Sequence, residues 1–240
     1  MNSNRLFFLT TSFLFTFFAI INSISFFEIN LPDSASYINY SSKYKAVYPL
    51  LLNIFDYLKQ DIIMFQIGIL SLSIVVLCFV VYRATNIHCS IILFLLVILN
   101  FYYTSFSKTI LTESLFFSLI NFASSLLILN KKNLKVNIIY GLVLGLVINI
   151  KSIGIIIAAT FILLNKLRND NLNPKISLLI ILILLLFENS IFYSKNSYRK
   201  NVFDIMLTGK IFFLSGKSNF KIEEYPKEHK EILLKSKEYF

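Results

Sequence analysis

The chain has 240 residues, of which 56% are hydrophobic and only 15% charged, with a formal net charge of +10 and a mean hydropathy of +0.70. A soluble domain carries about 25% charged residues, so this composition excludes an ordinary soluble fold and points to an integral membrane protein. With 25 Phe, 13 Tyr and no Trp, the interfacial aromatic belt falls to Tyr and Phe, as in Phe101, Tyr102 and Tyr103.

Runs of roughly 20 apolar residues, the length that crosses a hydrocarbon core of about 30 Å, recur along the chain. The first, residues 6–27, exceeds the apolar run of about 7–15 residues of a secretory signal and has no small-residue cleavage site after it. It reads as a retained anchor. Further spans are expected over residues 62–82, 88–103, 110–129 and 176–192. Cys78 and Cys89 fall in or beside apolar segments without metal or redox spacing, and both read as small buried hydrophobes.

Basic loops stay cytoplasmic. Arg5, Arg83, Lys131, Lys132 and Lys135 flank spans at alternate ends, which places residues 28–61 and 104–109 outside. The stretch 136–164 is ambiguous. As one helix, about 29 residues would reach roughly 43 Å, too long for an upright span and too short for two full ones. Lys151 stands at its middle, and a charge at the bilayer centre costs at least about 2.5 kcal/mol. Two short helices turning near Lys151, with Gly154 behind it, would bring the ammonium to the outer surface and leave residues 194–240 outside. One long tilted span would leave that tail inside, as its Lys195, Arg199 and Lys200 favour. The fold expected is all-α, a polytopic transmembrane bundle of about six to seven spans over residues 1–193, followed by a polar tail, 194–240.

Under the hairpin topology three charges share the outer face: Asp33 in the first outer loop, Glu113 at the start of a span, and Lys151 at a turn. Glu113 in "TILTESLFF" has a plain explanation as an acid in the first turn of a helix, favoured by the macrodipole. An acid so near a membrane interior is also a functional suspect.

The order "PDSASY", "LTESLF" and "YGLVLGLVINIKSIGIII" resembles the GT-C superfamily of membrane glycosyltransferases, among them relatives of protein O-mannosyltransferases and aminoarabinose transferases. The resemblance covers roughly residues 6–220 and rests on order and spacing. It implies a multi-pass protein of the bacterial inner membrane that takes a sugar from a polyprenyl-phosphate donor outside and passes it to a glycan, lipid or protein acceptor. Asp33 would be the catalytic base, Glu113 would position the acceptor or a cation, and Lys151 would contact the lipid phosphate. The loop lacks the paired Asp-Glu of the mannosyltransferases, and Lys151 stands where many relatives have an Arg able to hold phosphate in bidentate fashion. A divalent cation is therefore left open as a cofactor. Relatives carry further spans, so a truncated or minimal member is implied.

These residue types suit the chemistry. A carboxylate within hydrogen-bond reach can take the proton of an attacking hydroxyl, and an ammonium can stabilise the departing phosphate. Tyr37, four residues after Asp33, would share its face in a helix and contribute to substrate binding, or else serve in packing. Glu188, near the end of the last span, is a further intramembrane acid. His88 reads as a lone interfacial residue, Asp56 and Asp61 as solvated or helix-start charges, and Asn39-Tyr40-Ser41 as a glycosylation sequon without consequence outside a eukaryotic secretory pathway. In the tail, "KEHKEILLKSKEYF" alternates charge around Ile232, Leu233 and Leu234, as an amphipathic surface helix would. The interleaved acids exclude a nucleic-acid partner. A second class stays open: a non-catalytic membrane protein, either a degenerate relative or a subunit of a polysaccharide assembly complex.

Overall fold

The structure, a computed structural model, describes residues 3–23, 34, 37–38, 45, 47–59, 61–129, 133–167 and 172–195. Among these there is no strand, and the fold is all-α. The helices described are α1 (Ser3–Asn22), α2 (Val47–Tyr57), α3 (Ile62–Ala84), α4 (Ile87–Ile98), α5 (Phe101–Ser105), α6 (Glu113–Leu129), α7 (Leu134–Ile150), α8 (Gly154–Leu167) and α9 (Pro174–Lys195), with a 3-10 turn at Phe106–Lys108. The chain divides into two units, Met1–Glu188 and Asn189–Phe240. Only the last turns of α9 represent the second among the described residues, and the expected tail helix lies outside them.

Among the described residues one helix, α3, is long and apolar enough to cross a membrane. A second span is counted if the bent pair Ile87–Ile98 and Tyr102–Lys108, inclined at 64°, is taken as one. Shorter apolar helices are the segment Leu9–Asn22 of α1 and α6, α7 and α8, the last three of 17, 17 and 14 residues.

Helix ends follow local chemistry. Asp61 caps α3 by accepting from Ile63 N at 2.8 Å, and Asn86 caps α4 through Cys89 N at 2.9 Å, as short acceptor side chains do at N-caps. The expected span 88–103 is broken. Asn100, in extended conformation, accepts from Tyr103 N at 3.1 Å and so starts α5 as a separate helix. The cysteine reading is corrected for Cys89, which is exposed on the first turn of α4, while Cys78 is half-buried.

The most extensive pairing is between α3 and α6. Its facing side chains are small and hydroxylic, including Ser71, Ser73, Ser114, Ser118 and Ser125, all buried. Each of Ser71, Ser118 and Ser125 returns its proton to a carbonyl one turn earlier in its own helix. Small residues let helix backbones approach closely. Asn121 joins the helices by donating to Ser73 Oγ at 3.0 Å and to Tyr103 Oη at 2.8 Å.

The stretch 136–164 is a hairpin. α7 ends at Ile150, Lys151 is extended at its C-cap, and α8 begins at Gly154. A Cβ on Gly154 would press on the Val147 carbonyl, so only glycine lets the returning helix pass this close. At the opposite end of the pair, Asn137 Oδ1 accepts from Asn173 N at 2.8 Å and Asn165 Nδ2 donates to Leu172 O at 3.0 Å, tying the hairpin's base to the start of α9. Tyr140, Leu144 and Ile148 of α7 form a core with Ala123, Leu127, Ala158 and Ile181.

Contacts between loops bring several segments to one end of the bundle. Lys108 Nζ donates to the carbonyls of Ile21 and Ser23 at the end of α1. Ser34 Oγ donates to Ile110 O at 3.0 Å, and Gln66 Nε2 to Thr109 O at 3.0 Å. Of the described basic residues, Arg83, Lys135, Lys166 and Lys175 lie at helix termini of the other end, and Lys108 and Lys151 at the first.

Candidate functional site

Glu113 is the first residue of α6 and Lys151 the C-cap of α7. Lys151 Nζ lies 2.6 Å from Glu113 Oε1, with the two side chains 32% and 21% exposed. Each charge complements its own helix, because a helix N-terminus favours an anion and a C-terminus a cation. The ammonium also stands 5.8 Å from the ring centroid of Phe116, one turn into α6. A cation over an aromatic face at this range gains a little more attraction.

The other carboxylate oxygen, Oε2, accepts from Thr112 Oγ1 at 3.3 Å. Tyr37 Oη is 3.5 Å from the same Thr112 hydroxyl. Its ring meets Tyr48 edge-on, with centroids 5.2 Å apart at 88°. Tyr48 in turn donates to Gln66 Oε1 at 2.9 Å. Burial, with smaller contributions from Tyr37 and Glu113, pushes the Tyr48 phenol well above its ordinary range, so it stays a neutral donor. Leu111, Leu115, Phe116, Val147 and Ile150 close an apolar floor beneath this network.

Three of the four residues expected at the site are thus brought together: Glu113 and Lys151 directly, Tyr37 through Thr112. Tyr37 is 5% exposed and fills packing space as well as touching Thr112. Asp33 lies outside the described residues. Gln66 and Tyr48 escaped the sequence reading, although Gln66 carried a signal as an amide inside an apolar span.

A second ion pair joins Lys45 Nζ to Glu188 Oε2 at 3.2 Å. Glu188 was marked by its place in an apolar run. Its partner was not, being 143 residues away.

The described residues at Glu113 do not by themselves make a site for a divalent ion. Its oxygens already face an ammonium and a hydroxyl, and no group of three or more His, Cys, Asp or Glu gathers among the described residues. What the arrangement offers is an ammonium held by one carboxylate, partly open to solvent, beside a hydroxyl pair. Such an ammonium can be shared with an incoming anion. Comparison with protein-family models, curated proteins and solved structures finds no match to this chain.

Proposed function

We propose that the chain is a multi-pass membrane glycosyltransferase of GT-C type, moving a sugar from a polyprenyl-phosphate donor to an acceptor hydroxyl on the outer face of the membrane. The observation that carries this reading is the meeting of Glu113 and Lys151 at 2.6 Å, at the end of the bundle where Tyr37 also docks. Large apolar side chains exposed on α1, α8 and α9, among them Phe15, Ile156 and Phe187, support a lipid-facing surface.

In this mechanism Asp33 accepts the proton of the acceptor hydroxyl as its oxygen bonds to the anomeric carbon. The bond from that carbon to the phosphate oxygen breaks, and its electron pair leaves with the lipid phosphate. Lys151, shared between Glu113 and the phosphate, offsets the charge that develops there. Glu113 holds the ammonium in place and, through Thr112 and Tyr37, orders the acceptor side. A lipid phosphate leaves without protonation, so one carboxylate base suffices.

The test is transfer from a panel of polyprenyl-phosphate sugars by membranes holding the wild type or Asp33→Asn. Loss of transfer at unchanged abundance is expected. Transfer that survives Asp33→Asn, or is undetectable with the wild type across the panel, contradicts the reading. A non-catalytic membrane subunit is the second reading, favoured by one feature: Lys151 is already neutralised by Glu113, as a purely structural pair would be.

A further inference from the structure

Helices α7 and α9 begin at the same end of the bundle, where α8 finishes, and hydrogen bonds tie the three together. Asn137 Oδ1 accepts from Asn173 N at 2.8 Å, and Asn165 Nδ2 donates to Leu172 O at 3.0 Å. Three lysines stand on this tied group: Lys135 shortly before Asn137, Lys175 shortly after Asn173, and Lys166 next to Asn165. All three are exposed, and none is in an ion pair with another described residue.

Two of these lysines are set against the local field. Lys135 and Lys175 fall in the first turns of α7 and α9, and neither helix has an acid there. The free amides of a helix start are the positive end of its dipole, and a cation beside them is unfavourable. Asn133 and Asn173 accept from the amides of Lys135 and Lys175, but an amide side chain brings no charge. The described acids lie elsewhere: Asp56 in α2, Asp61 before α3, Glu113 at the start of α6 and Glu188 far along α9. In sequence the connections 130–132 and 168–171 add Lys131, Lys132 and Arg168 against Asp170, so the balance here stays positive. The pair of Glu113 and Lys151 has the opposite character, each charge agreeing with its helix end.

Exposed apolar side chains lie one turn inward of each ammonium. Ile138 and Ile139 follow Lys135, Leu178 and Leu179 follow Lys175, and Leu163 precedes Lys166. Residues three and four apart share a helix face, so each lysine tops an apolar strip. A free phosphate or an acidic peptide would match the ammoniums alone. A phospholipid matches both layers.

We propose that Lys135, Lys166 and Lys175 form a docking site for an anionic phospholipid, its phosphate among the ammoniums and its acyl chains along the strips beneath them. Basic clusters between helix ends at a cytoplasmic face hold such headgroups. The lipid supplies the anion that the two helix starts lack, and so stabilises the joint between the hairpin and α9. The site rests on the membrane placement of the chain and does not depend on sugar transfer.

The test is thermal unfolding of the full chain in phosphatidylcholine nanodiscs, with or without phosphatidylglycerol as about one fifth of the lipid, in about 0.15 M salt. Phosphatidylglycerol is expected to raise the unfolding temperature by about 5 °C or more, and each of Lys135→Gln, Lys166→Gln and Lys175→Gln to remove about 2 °C of that rise. Arg83→Gln takes the same charge from the same end but outside the tied group, and should leave the rise intact. A rise that Arg83→Gln diminishes as much as the lysine variants do would assign it to general surface charge and overturn the site. Equal unfolding temperatures with and without phosphatidylglycerol, or a rise reproduced by inorganic phosphate in discs of phosphatidylcholine alone, would overturn it too. A chain that stays in solution without discs would overturn the membrane placement and the site with it, a result distinct from a chain that enters the discs and shows no rise.

Discussion

Glu113 and Lys151, 38 residues apart, meet at 2.6 Å with each charge placed at the helix terminus whose dipole favours it. Because both side chains are partly exposed, the pair is worth less than a fully buried one. Either Glu113→Gln or Lys151→Met is expected to cost about 1–2 kcal/mol, with a double-mutant coupling of about 1 kcal/mol. Exchanging the two residues restores the pair but sets both charges against their dipoles. The exchanged protein should therefore stay below the wild type by about 0.5–1.5 kcal/mol. Urea unfolding of the four variants in detergent measures both numbers.

The hairpin gives a second expectation. Gly154→Ala pushes a methyl group onto the Val147 carbonyl, which is backbone and cannot turn aside. At Gly145 the obstacle is the Leu184 side chain, which can change rotamer. Gly154→Ala should therefore cost about 2 kcal/mol or more and Gly145→Ala about 1 kcal/mol. Equal losses in a thermal shift assay would contradict the turn at Lys151.

That turn was one of the two readings the sequence left open. A lysine midway along 29 apolar residues has no comfortable depth in a bilayer, and the glycine three residues on allows the return. Glu113 was legible for the same reason, as a charge in an apolar setting. The break before α5 was not, because residues 88–103 carry no glycine or proline and only the Asn100 side chain marks the new start. Nor was the partner of Glu188, since nothing in local spacing connects Lys45 to a residue so distant in sequence. Cys89 misled because apolar neighbours do not fix which face of a helix turns inward.

Lys45 and Glu188 should respond unequally to substitution. Lys45→Met removes an ammonium from the carboxylate of Glu188, which is 1% exposed, and is expected to cost about 3 kcal/mol. Glu188→Gln leaves a lysine that can reach solvent, and should cost about 1 kcal/mol. Comparison of unfolding midpoints checks the order.

The neutral phenol of Tyr48 makes alkaline stability measurable. Its folded-state pKa is raised above the ordinary 10.0 by burial, so above pH 10 the folded chain retains a proton that the unfolded chain has lost. Stability from this group is complete below pH 10 and falls by about 1.4 kcal/mol per pH unit above it. Tyr48→Phe should flatten that slope. At neutral pH the same variant leaves Gln66 Oε1 without its donor, at a cost of about 1–3 kcal/mol.

The central claim is that the end of the bundle bearing Glu113 and Lys151 faces outward and the end bearing Arg83 and Lys135 faces the cytoplasm. In a background with Cys78→Ser and Cys89→Ser, single cysteines at Ser152 and Tyr57 report the first end and at Thr85 and Lys135 the second, all four being exposed positions that leave the ion pair intact. Intact cells are treated with a thiol reagent that cannot cross the membrane. The account predicts labelling at 152 and 57 in intact cells, and at 85 and 135 only after the membrane is opened. Labelling of 152 only in opened cells, or of 152 and 135 alike in intact ones, would contradict it.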